Sequence, residues 1–138
     1  MATASPQARS RVCHLVEAVL GHEAPTVVAA FSRAGVCTQQ VVSAWLSQCF
    51  LNTLNFPDVA RYVLLCLLGG VDYQVYFTVG VLQAWAGRVF RAVGTCTLLE
   101  ELLLLPAPPL NWRGLVAAML GMERRHREFV VGELGLGA

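Results

Sequence analysis

An all-α fold, a compact multi-helix domain, is what this sequence predicts, and three observations carry it. Apolar residues recur at spacings of three and four, as in Val12, Leu15, Val16, Val19 and Leu20, which is the period of one buried helix face. Helix starters and stoppers punctuate the pattern: Pro25, Pro57 and Asn111 stand before apolar runs, Gly35 and Gly69-Gly70 after them. The stretch from Ala34 to Gly87 carries full charge only at Asp58, Arg61 and Asp72, yet holds Trp45, Phe50, Phe56, Tyr62, Tyr73, Tyr76, Phe77 and Trp85. A solvent-facing segment of that length would carry more charge, so most of it belongs in a core or against a partner.

Residues 1–8 are small and polar and are expected to fray, leaving 9–134 as a single helical domain and 135–138 as a flexible end. A first helix is expected from about Gln7 to Gly21 on the Val12–Leu20 stripe. Pro25 suits the first turn of a second, which Gly35 stops. Thr38 caps a third, where Val41, Val42, Trp45, Leu46, Cys49 and Phe50 line a broad buried face. Pro57 and Asp58 open a fourth, because the ring fits an initial turn and the carboxylate complements the positive helix end. Gly69-Gly70 breaks it after Leu68. Asp72 caps a long fifth helix from Tyr73 to about Val93, with Val75, Tyr76, Val79, Leu82, Trp85 and Phe90 in its core. Gly80 and Gly87 within it mark candidate close crossings. Thr97 and Glu100 fit a capping box ahead of Leu102–Leu105, which Pro106, Pro108 and Pro109 end. Asn111 then caps a segment to Gly121, and a charged helix from Glu123 to about Glu133 closes the domain.

Composition narrows the function classes. At 138 residues the chain fits one domain. Hydrophobic residues are 56% and charged residues only 14%, against about a quarter in ordinary domains, which excludes general disorder. A formal charge of +1 provides no field to gather nucleic acid. Cys13, Cys37, Cys49, Cys66 and Cys96 form no CxxC pair, and no secretory leader precedes Arg9 and Arg11, so reduced thiols and a cytoplasmic location are expected, with the cytosolic surface of internal membranes as a further site. A membrane span needs about 20 apolar residues. Arg61, Asp72 and Arg88 divide the most apolar region into shorter pieces, and burying Asp72 in lipid would cost several kcal/mol.

Chemistry-bearing motifs are sparse. His14, His22 and His126 are far apart, so no metal site is expected, and no cofactor. Cys49 and Cys66 lack an adjacent base and read as buried thiols, and Gly69-Gly70 has no phosphate-loop Lys-Ser/Thr after it. No catalytic residue is therefore assigned. Arg113, Arg124, Arg125 and Arg127 are the candidate basic surface, although Glu123 and Glu128 sit among them and Glu128 pairs in register with Arg124. Arg61, one turn after Asp58, reads as a local fold contact first and a partner-facing anchor second.

The string AWLSQCFLNTLNFPDVARYVLLCLLGGVDYQVYF, Ala44 to Phe77, resembles the C-terminal half of a TBC domain, the helical module of Rab GTPase-activating proteins. An aromatic helix ends near Phe50, Phe56 and Pro57-Asp58 start the next, Arg61-Tyr62 follow, and Asp72-Tyr73-Gln74 lead into an apolar helix. In TBC enzymes the catalytic Arg and Gln fingers come from the N-terminal half. This chain has neither the Ile-x-x-Asp-x-x-Arg pattern nor the Tyr-x-Gln motif in its catalytic setting, so Arg61 and Gln74 do not inherit those roles. The resemblance implies a divergent or truncated TBC unit that binds a protein partner, a Rab-type small GTPase or a subunit of a larger trafficking complex, without accelerating hydrolysis. Candidate partner-binding residues, each also a candidate for the core, are Trp45, Phe50, Phe56, Arg61, Tyr62, Tyr73 and Trp85. Two alternatives stand beside it: a GTPase-activating fragment that needs a missing catalytic half, and a helical protein held peripherally at a membrane.

Overall fold

Nine apolar or uncharged residues in succession leave a helix no polar side to show to water, and that sets the architecture. A computed structural model of the chain describes residues 6–51, 53–103 and 110–135. Its helices are α1 (Pro6–Glu23), α2 (Pro25–Ala34), α3 (Thr38–Ser47), α4 (Phe56–Gly69), α5 (Tyr73–Ala84), α6 (Ala86–Thr95), α7 (Leu98–Leu103) and α8 (Trp112–Leu134), with no strand among the described residues. Every residue of α5 from Gln74 to Leu82 is buried, as expected for a helix that is hydrophobic all round. The other helices wrap it: α8 and α1 pack along α5, α4 rests against it, and α6 follows it. Outside that layer α2 and α3 pack on α1, α2 also meets α6, and α7 joins α6 to α3.

The closest crossing is α5 on α8. A Cβ at Gly80 would lie 2.6 Å from Leu115 Cδ1, so any larger residue there would have to displace the Leu115 side chain. Gly87, the other candidate, faces only Arg91 of its own helix.

The core is organised around Phe50. Helix α3 stops at Ser47, short of the expected Phe50, because Cys49 and Phe50 both adopt left-handed backbone conformations, with φ of 51° and 62°. That turn swings the Phe50 ring inward, where it meets Trp45 at 5.5 Å, Tyr62 at 4.8 Å and Phe77 at 5.2 Å between ring centres. Trp45 continues edge-on to Trp85, and Phe77 stacks on Trp112. One chain of aromatic contacts thus links α3, α4, α5 and α8 and the turn between α5 and α6, and such pairs contribute about 0.5–1.5 kcal/mol each beyond area burial.

Polar ties close the outer layer. Trp45 Nε1 donates to the Leu102 carbonyl at 3.0 Å, holding α7 on α3. Arg88 donates to the Glu101 carbonyl and carboxylate, at 2.9 and 3.2 Å, while its guanidinium lies over Trp85. Arg125 grips Glu23 through two bonds, at 2.6 and 2.9 Å, joining α8 to the end of α1. These bonds hold the Glu23 carboxyl down to about 2 against the opposing effect of burial, with His126 assisting.

Several elements depart from the sequence expectation. Helix α1 already includes Pro6 and runs to Glu23, so residues 6–8 are helical; residues 1–5 and 136–138 lie outside the described set. Cys37, not Thr38, holds the cap position of α3, and Asp72 makes no side-chain capping bond to α5. The predicted fifth helix is two helices, parted at Trp85, whose φ and ψ of −98° and 16° turn the chain so that its indole packs on Trp45. Phe90, expected in the core, is exposed beyond that break. Gly121 does not interrupt α8, which runs unbroken from Trp112 to Leu134. The Thr97 hydroxyl sits against that of Thr95, at 2.7 Å. Leu104, Leu105 and the Pro106–Pro109 stretch fall outside the described residues. Helix α2 ends in a left-handed Gly35, and Asn111 caps α8 through the Gly114 amide, both as expected.

Replacing Phe50 with Ala is expected to cost about 3–5 kcal/mol in urea-induced unfolding, as for other fully buried aromatics. Burial pushes the Cys66 thiol up to about 12, whereas Cys37 and Cys96 are exposed. An Ellman-type titration at pH 8 should therefore label Cys37 and Cys96 promptly and Cys66 only after unfolding.

Candidate protein-docking face

Helix α4 is apolar on two sides and has an apolar neighbour on one. Its inward positions Val59, Tyr62 and Cys66 are buried against α5 and the aromatic chain. Its outward positions follow at helical spacing, and they are not polar: Phe56 is 77% exposed, Leu64 53%, Leu67 72% and Leu68 78%. Leu51, in the preceding turn, is exposed as well. This is the densest set of large exposed hydrophobic side chains among the described residues; the others, Phe90, Leu120 and Phe129, are spread over α6 and α8. A concentration of exposed apolar side chains along one helix marks an interaction surface more often than an isolated leucine does.

The start of α4 is built to stay in place. Asn55 accepts a hydrogen bond from the Asp58 amide, at 3.0 Å, and Pro57 fits the first turn. The Asp58 side chain is buried in the positive end of the helix. Its carboxylate accepts from Trp112 Nε1 at 2.6 Å and from the Leu110 amide at 3.4 Å. Asp58 therefore binds the first residues of α8 to α4 across a long sequence separation. Arg61, exposed on the outer side, stands 3.9 Å from Asp58 and 5.7 Å above the Trp112 ring. Arg61 thus makes local contacts with Asp58 and Trp112, and its guanidinium edges the apolar stripe.

The fold sorts the candidate binding residues. Trp45, Phe50, Tyr62 and Trp85 are sealed in the interior and can touch no partner while the domain is folded. Phe56 and Arg61 lie at the surface of α4. Tyr73 is half-buried and donates to Glu123 of α8 at 2.8 Å; its phenol, pushed up to about 12 by burial and that carboxylate, stays a donor. Gln74 is buried within α5. Leu64, Leu67 and Leu68 were passed over, because periodicity cannot tell the inside from the outside of a helix that is apolar on two sides.

The basic surface does not converge. Arg113 and Arg124 are exposed, Arg125 is committed to Glu23, and Arg127 pairs with Glu123 at 3.2 Å. Among the described residues no ion pair joins Arg124 to Glu128. The open groove along α8 is lined by Glu123, Arg124, Arg127, Glu128, Val131 and Gly132, a mixture of both signs.

Residues 3–131 match the family described as the Broad-minded protein Rab TBC domain. Protein broad-minded of zebrafish (Danio rerio) is 33% identical over 125 residues, which cover 91% of this chain and 10% of that protein. Protein broad-minded of mouse (Mus musculus) is 37% identical over 70 residues, 51% of this chain and 5% of that protein. The chain thus spans a tenth or less of the length of these relatives. No solved structure matches it.

Asp58 and Arg61 should separate cleanly in mutagenesis. Asp58→Ala leaves two donors unpaired and is expected to lose about 1.5–3 kcal/mol in urea unfolding. Arg61→Ala removes an exposed ion pair and should lose less than about 1 kcal/mol.

Proposed function

The chain belongs to the Broad-minded Rab TBC domain family, and from that premise we propose that it is a noncatalytic helical interaction module in Rab and vesicle-traffic regulation. Its partner is a Rab-type small GTPase, and the docking surface is the outer face of α4. The observation that carries this reading is the exposed stripe of Phe56, Leu64, Leu67 and Leu68 with Arg61 at its edge. An apolar centre with an arginine and an aromatic anchor is the composition of binding hot spots. Rigid support comes from behind: α4 is braced by Asp58 and the aromatic chain, so docking orders few groups that were free. The module works in the cytoplasm, at the cytosolic surface of internal membranes.

The two alternatives are less well supported by the same residues. For hydrolysis, the Arg and Gln fingers would have to come from another segment, because Gln74 is enclosed in α5 and Arg61 already contacts Asp58 and Trp112. For lipid, no described helix is long and apolar enough to cross a membrane, and a helix that lies in the interface is typically rich in Lys or Arg along its polar side, where α4 has Arg61 alone.

Titration of the purified chain against a panel of Rab-type GTPases, in their GDP and GTP-analogue forms, tests the reading by fluorescence anisotropy. Saturable binding is expected, weakened at least about tenfold (about 1.4 kcal/mol) by Phe56→Asp combined with Leu68→Asp. Both side chains are exposed, so the variant keeps its helical circular dichroism. GTP hydrolysis by the bound GTPase should be unchanged. Accelerated hydrolysis, equal affinity in the double variant, or no binding across the panel would each sink the proposal.

A further inference from the structure

Two neighbouring ligand-type side chains in the last turn of α1, His22 and Glu23, meet a third, His126, that comes from α8. One ligand atom from each of His22, Glu23 and His126 lies within 4.8 Å of the other two. Both imidazoles address the same oxygen: His126 Nε2 is 2.8 Å from Glu23 Oε2, and His22 Nδ1 is 3.5 Å from it. The two rings are 4.9 Å apart, edge to face. Sequence spacing separated these histidines and predicted no metal site; the antiparallel return of α8 along α1 is what joins them.

We propose that His22, Glu23 and His126 form a binding site for a divalent transition ion of the zinc class. Two imidazoles and one carboxylate are a donor set suited to such ions. In a tetrahedral shell with bonds of about 2.0–2.1 Å, neighbouring ligand atoms are about 3.3 Å apart. The His22–Glu23 separation is close to that value and longer than a good hydrogen bond. The His126–Glu23 separation is a hydrogen bond, so the ion takes the place of the proton shared there and the two atoms part by about half an ångström.

The surroundings fit a site that binds from solution. The side chains of Glu23 and His126 are 10% and 11% exposed and held in place, whereas His22, 69% exposed, is the ligand with open space on its solvent side. Arg125 bonds both oxygens of Glu23, Nη2 to Oε1 at 2.6 Å and Nε to Oε2 at 2.9 Å, so an ion on Oε2 displaces the Nε bond. With the ion on Oε2, Arg125 keeps Oε1 and orients the carboxylate, the outer-layer contact that metal-bound carboxylates ordinarily have. Its positive charge opposes the ion, so the affinity is moderate. Three protein ligands leave the fourth position to water. Such a site staples the end of α1 to the middle of α8, over and above the Arg125–Glu23 pair.

The test uses the untagged chain, cleared of metal by a chelator, titrated with zinc chloride by calorimetry and with cobalt(II) by visible absorption. One equivalent should bind saturably, raise the melting temperature, and give the absorption of a four-coordinate nitrogen–oxygen cobalt centre. His22→Ala and His126→Ala should each weaken zinc at least tenfold. His22 is exposed, so its replacement leaves the fold intact even if that of His126 does not. Cys37→Ser with Cys96→Ser should change nothing. The proposal fails if binding is not saturable at one equivalent, if His22→Ala binds as tightly as the parent, or if the cobalt spectrum carries a thiolate band that the cysteine variant loses.

Discussion

The inward turn at Cys49 and Phe50 is the constraint on which the rest of the structure depends. Two consecutive non-glycine residues in left-handed conformations cost about 1–2 kcal/mol each, and they persist because the Phe50 ring gains three aromatic neighbours. Once that ring is placed, α3 must stop, α4 must depart beside it, and Tyr62 and Phe77 must face it from two helices. Trp45 extends the contact to Trp85 at the α5–α6 turn, and Phe77 extends it to Trp112 at the start of α8. The scarcity of charge from Ala34 to Gly87 follows from this geometry, because the middle of the stretch is the core itself.

The charges that interrupt the stretch have separate fates. Asp58 is buried and binds α8 to α4. Arg61 remains in water over Trp112. Asp72 is buried near Tyr76, and burial together with that carboxylate keeps the Tyr76 phenol protonated. What looked like one apolar run is a core helix, α5, and a two-sided helix, α4. Among the described residues of this stretch, the large exposed hydrophobic side chains are those on the outer side of α4 and Leu51 just before it.

Much of the architecture was legible in the residues. Gly35, Asn111, Pro57 and Gly80 each announced a structural role with a local physical cause, and the TBC-like string lies within the residues that match the family. The misses share a different origin. The break at Trp85 and the turn at Phe50 are decided by where an aromatic ring must go, which is a tertiary requirement that helical periodicity does not encode. The exposure of Leu64, Leu67 and Leu68 was hidden because α4 has only two charges, Asp58 and Arg61, of which Asp58 is buried, so they do not mark its outer side. His22 and His126 meet through a helix return, for which no local signal exists.

The placement of the three indoles gives the domain a built-in optical gauge. Trp45 and Trp85 are enclosed, and their surroundings change only when the core does. Trp112 is partly exposed, bonded to Asp58 and covered by the guanidinium of Arg61. Its emission therefore responds to whatever moves Arg61 or dries the edge of α4, while the other two report on integrity. Occupancy of the surface and soundness of the fold can be read from one unlabelled molecule.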